Sequence, residues 1–305
     1  MKKILVFGGT GFIGTELIRK LKDQGDYLML VTRTRKLDSI AYYGVDEIIE
    51  YQEGMKSLDS QYFRNLDVII NLAGESILGL RWTKKKRKRI FNSRENIIRL
   101  IKDSLEGSNL KIPLLIQASA VGFYGYSEND IIVNEDSLGG NGFLAEVCKK
   151  LENEVASINE YFDRVAILRF GNVLGEKGFV KQISRGFIFN LSFSFGKGQQ
   201  WFSWIHIEDV INGIEFIIEK ENLKGPINFA VNESIRFSEL IKTLGNIKNN
   251  KILIIIPLKI SQLVLGDMSD IINKGIKVEP RKLIENGYEY KFTNIECALK
   301  NILLK

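Results

Sequence analysis

Short apolar runs alternate with amphipathic segments along the first half of the chain. The runs are rich in Val, Ile and Leu, which is typical of strands buried on both faces of a sheet. They predict strands at Lys3–Phe7, Tyr27–Thr32, Glu47–Tyr51, Asp67–Asn71, Leu114–Ala118 and Arg164–Arg169. The segments between them predict helices at Phe12–Gln24, Asp59–Asn65, Thr83–Glu106 and Phe143–Tyr161. This alternation predicts an α/β fold, with a doubly wound parallel sheet covered by helices on both faces.

The alternation weakens after Arg169, where glycine-rich and aromatic segments take over. The remaining pattern predicts a helix at Val210–Glu219 that Asp209 caps, a strand at 226–230, a possible strand at Lys251–Ile256, and short helices up to Leu304. We therefore expect a first domain at 1–172, whose sheet is completed by later segments including 226–230. A smaller, mostly helical region then follows at 173–305.

Composition places the chain among ordinary globular proteins, with 305 residues, 45% apolar and 26% charged. The apolar run after Met1 is too short for a signal sequence, and no run reaches transmembrane length. Cys148 and Cys297 show no metal-ligand or redox spacing, so we interpret both as reduced core thiols of a cytoplasmic protein with no metal site. His206 is the only histidine, and we interpret it as a packed, hydrogen-bonded residue.

The first predicted strand runs directly into a glycine-rich turn and then into a helix. Gly8, Gly11 and Gly14 are spaced G-x-x-G-x-x-G. Glycines at this spacing allow a tight turn and let backbone N–H groups approach a diphosphate, which the positive end of a helix also attracts. The context favours a Rossmann-type dinucleotide-binding loop over a turn without a ligand, because three glycines are more than a turn needs.

The residues after the second predicted strand indicate which dinucleotide binds. An NAD-binding chain usually carries Asp or Glu there, which holds the ribose hydroxyls. Here Thr32 is followed by Arg33, with Arg35 and Lys36 close by and no acid before Asp38. A guanidinium can pair with a 2′-phosphate that a carboxylate would repel. We therefore expect NADP(H) as the cofactor; the alternative is that these arginines are only solvent-facing charges.

Two later strand ends carry further candidates, because ligands of such sheets bind beyond the carboxyl ends of the strands. The fourth strand is followed by Leu72, Ala73 and Gly74, where small residues let a ribose pack against the backbone. The fifth ends near Ser119, whose hydroxyl either polarises a substrate carbonyl or caps a turn. On the helix between these strands, Arg94 either turns toward the cofactor or decorates the surface.

The net charge of +6 is uneven, with much of the excess in Lys84–Arg89. The basic run continues into Ile90 and Ile97, which mark the buried stripe of a long helix. A solvated helix start, attraction of an anionic cofactor or substrate, and a nucleic-acid patch are the three interpretations. The nucleic-acid patch is the least favoured of them.

Taken together, the motifs resemble those of the extended short-chain dehydrogenase/reductase family. The shared motifs are Gly8–Gly14, Asn71–Gly74, Ser119 followed by Tyr124-Gly125, and Arg169–Gly175. Further segments are similar to the subgroup named epimerase-family, or NAD-dependent epimerase/dehydratase-like, proteins; they are Arg81–Thr83, Ser93-Arg94, Phe143–Cys148 and Gly198–Asp209. That subgroup ends in a small characteristic domain, which residues 250–300 resemble.

The resemblance implies a role for each candidate residue. The pyrophosphate would be surrounded by Gly8, Thr10, Gly11, Phe12, Ile13 and Gly14. Thr32 and Arg33 would hold the ribose phosphate, Leu72, Ala73 and Gly74 would line the ribose, and Arg94 would contact the cofactor. The region up to Trp204 would cover the nicotinamide end, with Trp201, Phe202 and Trp204 forming either an apolar wall there or interdomain core.

One departure from the family bears on catalysis. Catalytic members carry Tyr-x-x-x-Lys on the helix after the serine strand, and the tyrosine relays a proton to the substrate. The matching positions here are Leu144 and Cys148, which cannot do this, and the subgroup shares the loss. Tyr124 is a candidate donor, and Lys149 and Glu146 lie on the same helix as the missing pair.

The sequence therefore predicts an NADP(H)-dependent oxidoreductase that acts on a small molecule, with Ser119 binding the substrate oxygen. The missing pair favours a rival, which is a cofactor-binding regulatory or scaffold protein without turnover. An epimerase or isomerase that uses transient hydride transfer is a further alternative. We expect no membrane partner and a monomer or homodimer.

Overall fold

The main sheet and most of the helices that cover it come from the first 230 residues. The computed structural model describes residues 1–33, 44–77, 82–126, 130–178, 180, 191–195, 198–249, 252–256 and 274–304. Within these ranges the strands are β1 (Lys3–Phe7), β2 (Tyr27–Thr32), β3 (Glu47–Glu50), β4 (Val68–Asn71), β5 (Ile112–Ala120), β6 (Ile132–Val133), β7 (Phe162–Phe170), β8 (Asn172–Leu174), β9 (Leu191–Phe195), β10 (Trp201–Phe202), β11 (Trp204–His206), β12 (Gly225–Phe229), β13 (Ile235–Arg236), β14 (Ile252–Ile256) and β15 (Lys277–Val278). The α-helices are α1 (Phe12–Asp23), α2 (Lys84–Leu105), α3 (Phe143–Ala156), α4 (Ile207–Glu219), α5 (Phe237–Ile247), α6 (Arg281–Glu285) and α7 (Ile295–Leu303).

The main sheet confirms the predicted doubly wound α/β fold. In the described part of the chain it has seven strands in the order β12-β7-β5-β4-β1-β2-β3, and every neighbouring pair is parallel. The chain moves outward from β1 through β2 to β3 and then returns to β4 on the other side of β1. The strand order therefore reverses between β1 and β4, and such a switch point opens a crevice at the carboxyl ends of the strands.

Helices cover both faces of this sheet, because side chains of a strand alternate between its faces. Ile4 and Val6 of β1 join a core with residues of α1 and α4, whereas Leu5 and Phe7 join a second core with residues of α2 and α3. The buried helix residues of the two cores are Leu17, Ile18, Val210 and Ile214 on the first face, and Ile97, Ile101, Leu151 and Val155 on the second. This packing fixes the loops at the carboxyl edge.

The predicted cap of α4 is wrong. The helix begins at Ile207, and His206 is the N-cap, whose Nδ1 accepts the backbone N–H of Glu208 at 3.2 Å. Asp209 instead lies buried, and its carboxylate accepts the backbone N–H groups of Lys291 at 2.7 Å and Phe292 at 3.0 Å. Asp209 therefore anchors the carboxyl-terminal segment to α4.

Three other expectations need correction. The helix predicted at 59–65 is a single 3-10 turn, Ser60–Phe63, after which Asn65 takes a left-handed φ of 56°. The helix predicted to reach Tyr161 ends at Ala156, because Ile158 turns into the core ahead of β7. Cys148 is a buried thiol as expected, but Cys297 is exposed, since it lies off the buried face of α7.

The carboxyl-terminal half adds small two-stranded pairs and a third core. Phe202 and Trp204 are buried in that core with residues of α5 and α7, so these two aromatic residues form core within the carboxyl-terminal half. Trp201 lies toward the protein surface, where its Nε1 donates a hydrogen bond to Asp130 Oδ1 at 2.7 Å. No helix in the described ranges is long and apolar enough to cross a membrane.

Candidate functional site

The glycine loop, residues 8–14, is shaped by close backbone approaches. A Cβ on Gly14 would lie 2.4 Å from the carbonyl oxygen of Gly8, and one on Gly8 would lie 2.6 Å from Ala73 N. Gly8 also takes a left-handed φ of 76°. Larger side chains at these positions would push the start of α1 and the end of β4 away from the loop. Glycine is therefore required by the packing of the crevice itself.

The start of α1 presents its backbone to the crevice. Gly11 is the N-cap and supplies no capping side chain, and the first turn holds no acidic residue. The first N–H groups of a helix lack intrahelical partners and carry a partial positive charge. The side chain of Phe12 points elsewhere, because a Cβ on Gly175 would lie 2.6 Å from its ring, and Ile13 packs against the first core. Phe12 and Ile13 can therefore reach an anion only through their backbone.

A cleft with a volume of about 1290 Å³ opens above the switch point. Most of the predicted cofactor residues line it together; they are Gly8, Thr10, Gly11, Thr32, Arg33, Leu72, Ala73 and Gly74. Phe12, Ile13, Gly14 and Arg94 are not among its lining residues. The opposite wall is one face of α2, including Asn92 and Asn96. The loops after β1, β2 and β4 thus meet at one site, as the parallel topology requires.

Arg33 is exposed at the end of β2, next to a half-buried tyrosine. Burial raises the pKa of Tyr51, and the charge of Arg33 lowers it in part. The two side chains are therefore close enough to interact, on the part of the cleft that lies beyond β2. Arg35, Lys36 and Asp38, which also entered the prediction of the dinucleotide, lie outside the described residues, as does Arg81.

The Ser93–Arg94 pair holds the loop after β4 rather than decorating the surface. Arg94 Nη1 donates to the carbonyl oxygens of Glu75 at 3.2 Å and Ile90 at 3.0 Å, and Ser93 Oγ accepts the backbone N–H of Glu75 at 2.9 Å. Burial lowers the pKa of Arg94, and its Cζ would lie 3.2 Å from a Cβ on Gly74. Arg94 thus supports the loop after β4, which lines the cleft, without lining the cleft itself.

Ser119 lies near the end of β5 with its hydroxyl already engaged. Its Oγ donates to Glu152 Oε1 at 2.8 Å. Beside it lies the thiol of Cys148, whose pKa is raised to about 11 by burial and then by the charge of Glu152. Leu144 packs against Gly122. Of the two positions that match the family's Tyr and Lys, Cys148 therefore lies beside the serine as a neutral thiol, and Leu144 places an apolar group against the turn that follows.

A buried ion pair holds Glu152 in place. Arg169 Nη2 donates to Glu152 Oε2 at 2.7 Å and its Nε donates to Oε1 at 3.0 Å. The remaining nitrogen, Nη1, donates to the Tyr124 hydroxyl at 2.9 Å, and that hydroxyl donates to Asn228 Oδ1 at 2.7 Å. Burial raises the pKa of Tyr124. The hydroxyl hydrogen of Tyr124 is thus used in a hydrogen bond to Asn228, inside the protein.

Sequence reasoning assigned no role to Glu152, Arg169 or Asn228. Arg169 and Asn228 interrupt apolar strands that are otherwise buried, and a polar residue in such a strand signals a partner. The partner itself could not be identified, because Arg169 and Asn228 meet only where β7 and β12 pair. In the part of the chain that the structure describes, no three His, Cys, Asp or Glu side chains are grouped to hold a metal ion.

Comparison with known proteins now places this geometry in a family. Residues 4–231 match the model of the NAD dependent epimerase/dehydratase family. The chain belongs to the NAD dependent epimerase/dehydratase family. Residues 256–302 match a domain of unknown function, DUF1731, which agrees with the small characteristic domain that the sequence motifs indicated. The resemblance drawn from the motifs is confirmed.

Relatives within this family match over nearly the full length. The epimerase family protein YfhF of Bacillus subtilis is 31% identical over 300 residues, covering 98% of this chain and 97% of that protein. The crystal structure of the human epimerase family protein SDR39U1 with NADPH is 28% identical, with a TM-score of 0.84 over 99% of each chain. A Bacillus cereus UDP-glucuronic acid 4-epimerase, at 19% identity and a TM-score of 0.77 over 98% of this chain and 97% of that one, shares the fold.

Proposed function

We propose that this protein is an NADP(H)-dependent oxidoreductase of the short-chain dehydrogenase/reductase type that acts on a small molecule. The observation that carries the proposal is the cleft that the loops after β1, β2 and β4 line together. Membership of the family supports it, as does the NADPH in the crystal structure of the human relative.

The residues around the cleft fit a nicotinamide dinucleotide. The cleft is larger than most pockets for drug-sized ligands, which occupy about 300–1,000 Å³, as a dinucleotide requires. Backbone N–H groups of the glycine loop and of the start of α1 would hold the diphosphate. Arg33 would pair with the 2′-phosphate, and Ala73 with Gly74 would lie against the ribose. When bound, the nicotinamide ring supplies hydride transfer.

We assign Ser119 to the substrate oxygen. The hydrogen bonds of its hydroxyl determine which substrate groups it can bind. Since its hydroxyl hydrogen is directed to Glu152, the hydroxyl can serve a ligand only as an acceptor, and it also contacts the Cys148 thiol. It therefore suits a substrate hydroxyl, whose proton Ser119 Oγ can accept as its own proton passes to Glu152 Oε1. A carbonyl would need that hydrogen bond to be broken first. Tyr124 is the weaker candidate, because its hydroxyl already donates a hydrogen bond to Asn228.

Two alternatives keep the same cofactor site. The neutral thiol of Cys148 and the apolar Leu144 favour a protein that binds cofactor without turnover, because neither residue relays protons at neutral pH. An epimerase would use transient hydride transfer and regenerate its cofactor. A panel of alcohols and carbonyls followed at 340 nm separates the three: net absorbance change supports the oxidoreductase, product without it supports the epimerase, and tight binding without product supports the regulatory protein.

The cofactor assignment is tested by fluorescence titration with NADPH and NADH. We expect the wild type to prefer NADPH, and Arg33→Ser to weaken NADPH binding by about ten- to a hundredfold, since one charge-assisted hydrogen bond contributes about 1.5–3 kcal/mol. NADH binding should change little, because NADH has no 2′-phosphate.

The matched control is Arg64→Ser. Arg64 is an exposed arginine that does not line the cleft, and its replacement should leave both affinities unchanged. Equal affinities of the wild type for the two nucleotides, or an unchanged preference in Arg33→Ser, would refute the assignment of NADP(H).

A further inference from the structure

The basic run that opens α2 is not a uniform patch, because the fold gives its members different partners. Lys86 Nζ lies 2.7 Å from Glu75 Oε1, and Arg89 Nη2 lies 2.8 Å from the same oxygen. The hydrogen bond from Lys86 holds the pKa of Glu75 below its usual range. The guanidinium of Arg87 lies 4.7 Å from the centre of the Phe143 ring. These three cations therefore serve contacts within the protein.

Lys85 and Lys88 are exposed and line the cleft, on the helix face that continues through Asn92 and Asn96. This spacing of three and four residues places the four side chains along one side of the helix. Arg89 lines the cleft as well, but it is paired with Glu75. Within the described ranges neither lysine forms an ion pair with a carboxylate. Lys84, their neighbour, is equally exposed but does not line the cleft.

The charge is positive at the start of α2, where Lys85 and Lys88 lie. Of the acidic residues that line the cleft, Glu75 is the nearest along the chain and is neutralised by Lys86 and Arg89. Asp103 and Glu106 lie at the other end of α2, and Glu53 lies beyond β3. Across the cleft lie the N–H groups of the glycine loop, which also favour an anion. An anionic group in the cleft would thus be attracted from two sides.

We propose that Lys85 and Lys88 form a cationic wall that binds a phosphate group of the nicotinamide dinucleotide. This inference rests on the proposed function and assigns the basic run a role in that site. Lysine ammonium groups bind phosphate as point charges, whereas Arg33 can act through paired N–H groups. The phosphate comes from one of two sources, the diphosphate or the 2′-phosphate, and the experiment distinguishes them.

The test compares Lys85→Ala/Lys88→Ala with Lys84→Ala/Lys242→Ala, titrated with NADPH and with NADH at low salt. The control pair removes the same charge from exposed positions outside the cleft lining. We expect the first variant to bind NADPH about two- to thirtyfold more weakly than the control, as exposed ion pairs contribute about 0.2–1 kcal/mol each. The difference should shrink at high salt, because the charges are screened.

Each outcome has one meaning. A loss for NADPH alone places the wall at the 2′-phosphate, and an equal loss for NADH places it at the diphosphate. Equal affinities of the two double variants for both nucleotides overturn the cationic wall and leave the proposed function standing. If the wild type binds neither nucleotide, the proposed function fails and the wall fails with it.

Discussion

Replacing Arg169 by methionine should destabilise the fold by about 3–5 kcal/mol, because it leaves the buried carboxylate of Glu152 without its cationic partner. Side chains of Arg169 and Glu152 are 4% and 10% exposed, and their two hydrogen bonds are 2.7 and 3.0 Å long. Methionine fills much of the same space with apolar atoms. Glu152 then keeps only the hydrogen bond from Ser119, and the Tyr124 hydroxyl loses a donor.

The size of the loss follows from desolvation rather than from the attraction of the pair. A buried pair gains little overall, since the desolvation of two charges offsets their attraction, but removing one partner leaves the other uncompensated. The double variant Arg169→Met/Glu152→Gln removes both charges, so it should be more stable than Arg169→Met alone. The two substitutions should therefore be strongly non-additive, as expected for residues in contact.

The measurement is urea unfolding followed by circular dichroism at pH 7. Arg19→Met is the matched control, since Arg19 and Glu16 form an ion pair at the surface, 2.8 Å apart and 59% and 31% exposed. Its loss should stay within about 1 kcal/mol.

A loss below about 1 kcal/mol in Arg169→Met, or simple additivity in the double variant, would refute the reasoning. Either result would mean that water or another group compensates Glu152, and Ser119 would then not be held as described.

Two further predictions concern the glycine loop and the thiols. Gly14→Ala should cost about 1–3 kcal/mol by overpacking and abolish NADPH binding, since its Cβ would lie 2.4 Å from Gly8 O; urea unfolding and fluorescence titration measure the two effects, and wild-type values in both would contradict the loop's role. With a thiol pKa raised to about 11 and a buried side chain, Cys148 should resist a thiol-specific disulfide reagent at pH 8, whereas exposed Cys297 reacts at once. Cys297→Ser should therefore show no rapid reaction until the protein is unfolded, and a rapid reaction in that variant would show that Cys148 is accessible.

The half of the candidate site that the cleft forms was predictable because its signals are local. Apolar runs of strand length identified β1, β2 and β4, and the glycine spacing follows from backbone approaches within one turn. Parallel pairing then brings strand ends together without knowledge of any side chain. For this reason the loops at Gly8, Thr32 and Ala73 could be assigned to one crevice from the sequence.

The other half was not predictable, because its contacts join distant parts of the chain. Ser119 and Glu152 are 33 residues apart, and Tyr124 and Asn228 are 104 apart. Helical periodicity could not say whether Arg94 faced solvent or the backbone of Glu75. A hydrogen bond across elements depends on their packing, which the pattern of one segment does not contain.

These contacts decide what chemistry the site can perform without the family's usual tyrosine and lysine. Near the end of β5, the Ser119 hydroxyl donates a hydrogen bond to Glu152, and the neighbouring Cys148 thiol keeps its proton at neutral pH. Under the proposed function, a ligand that reaches Ser119 is therefore offered acceptor lone pairs, which match a hydroxyl better than a carbonyl. Arg169 holds Glu152 in place with two hydrogen bonds. The direction of the hydrogen bond from Ser119 to Glu152 is therefore set by the fold and should stay the same whichever small molecule binds.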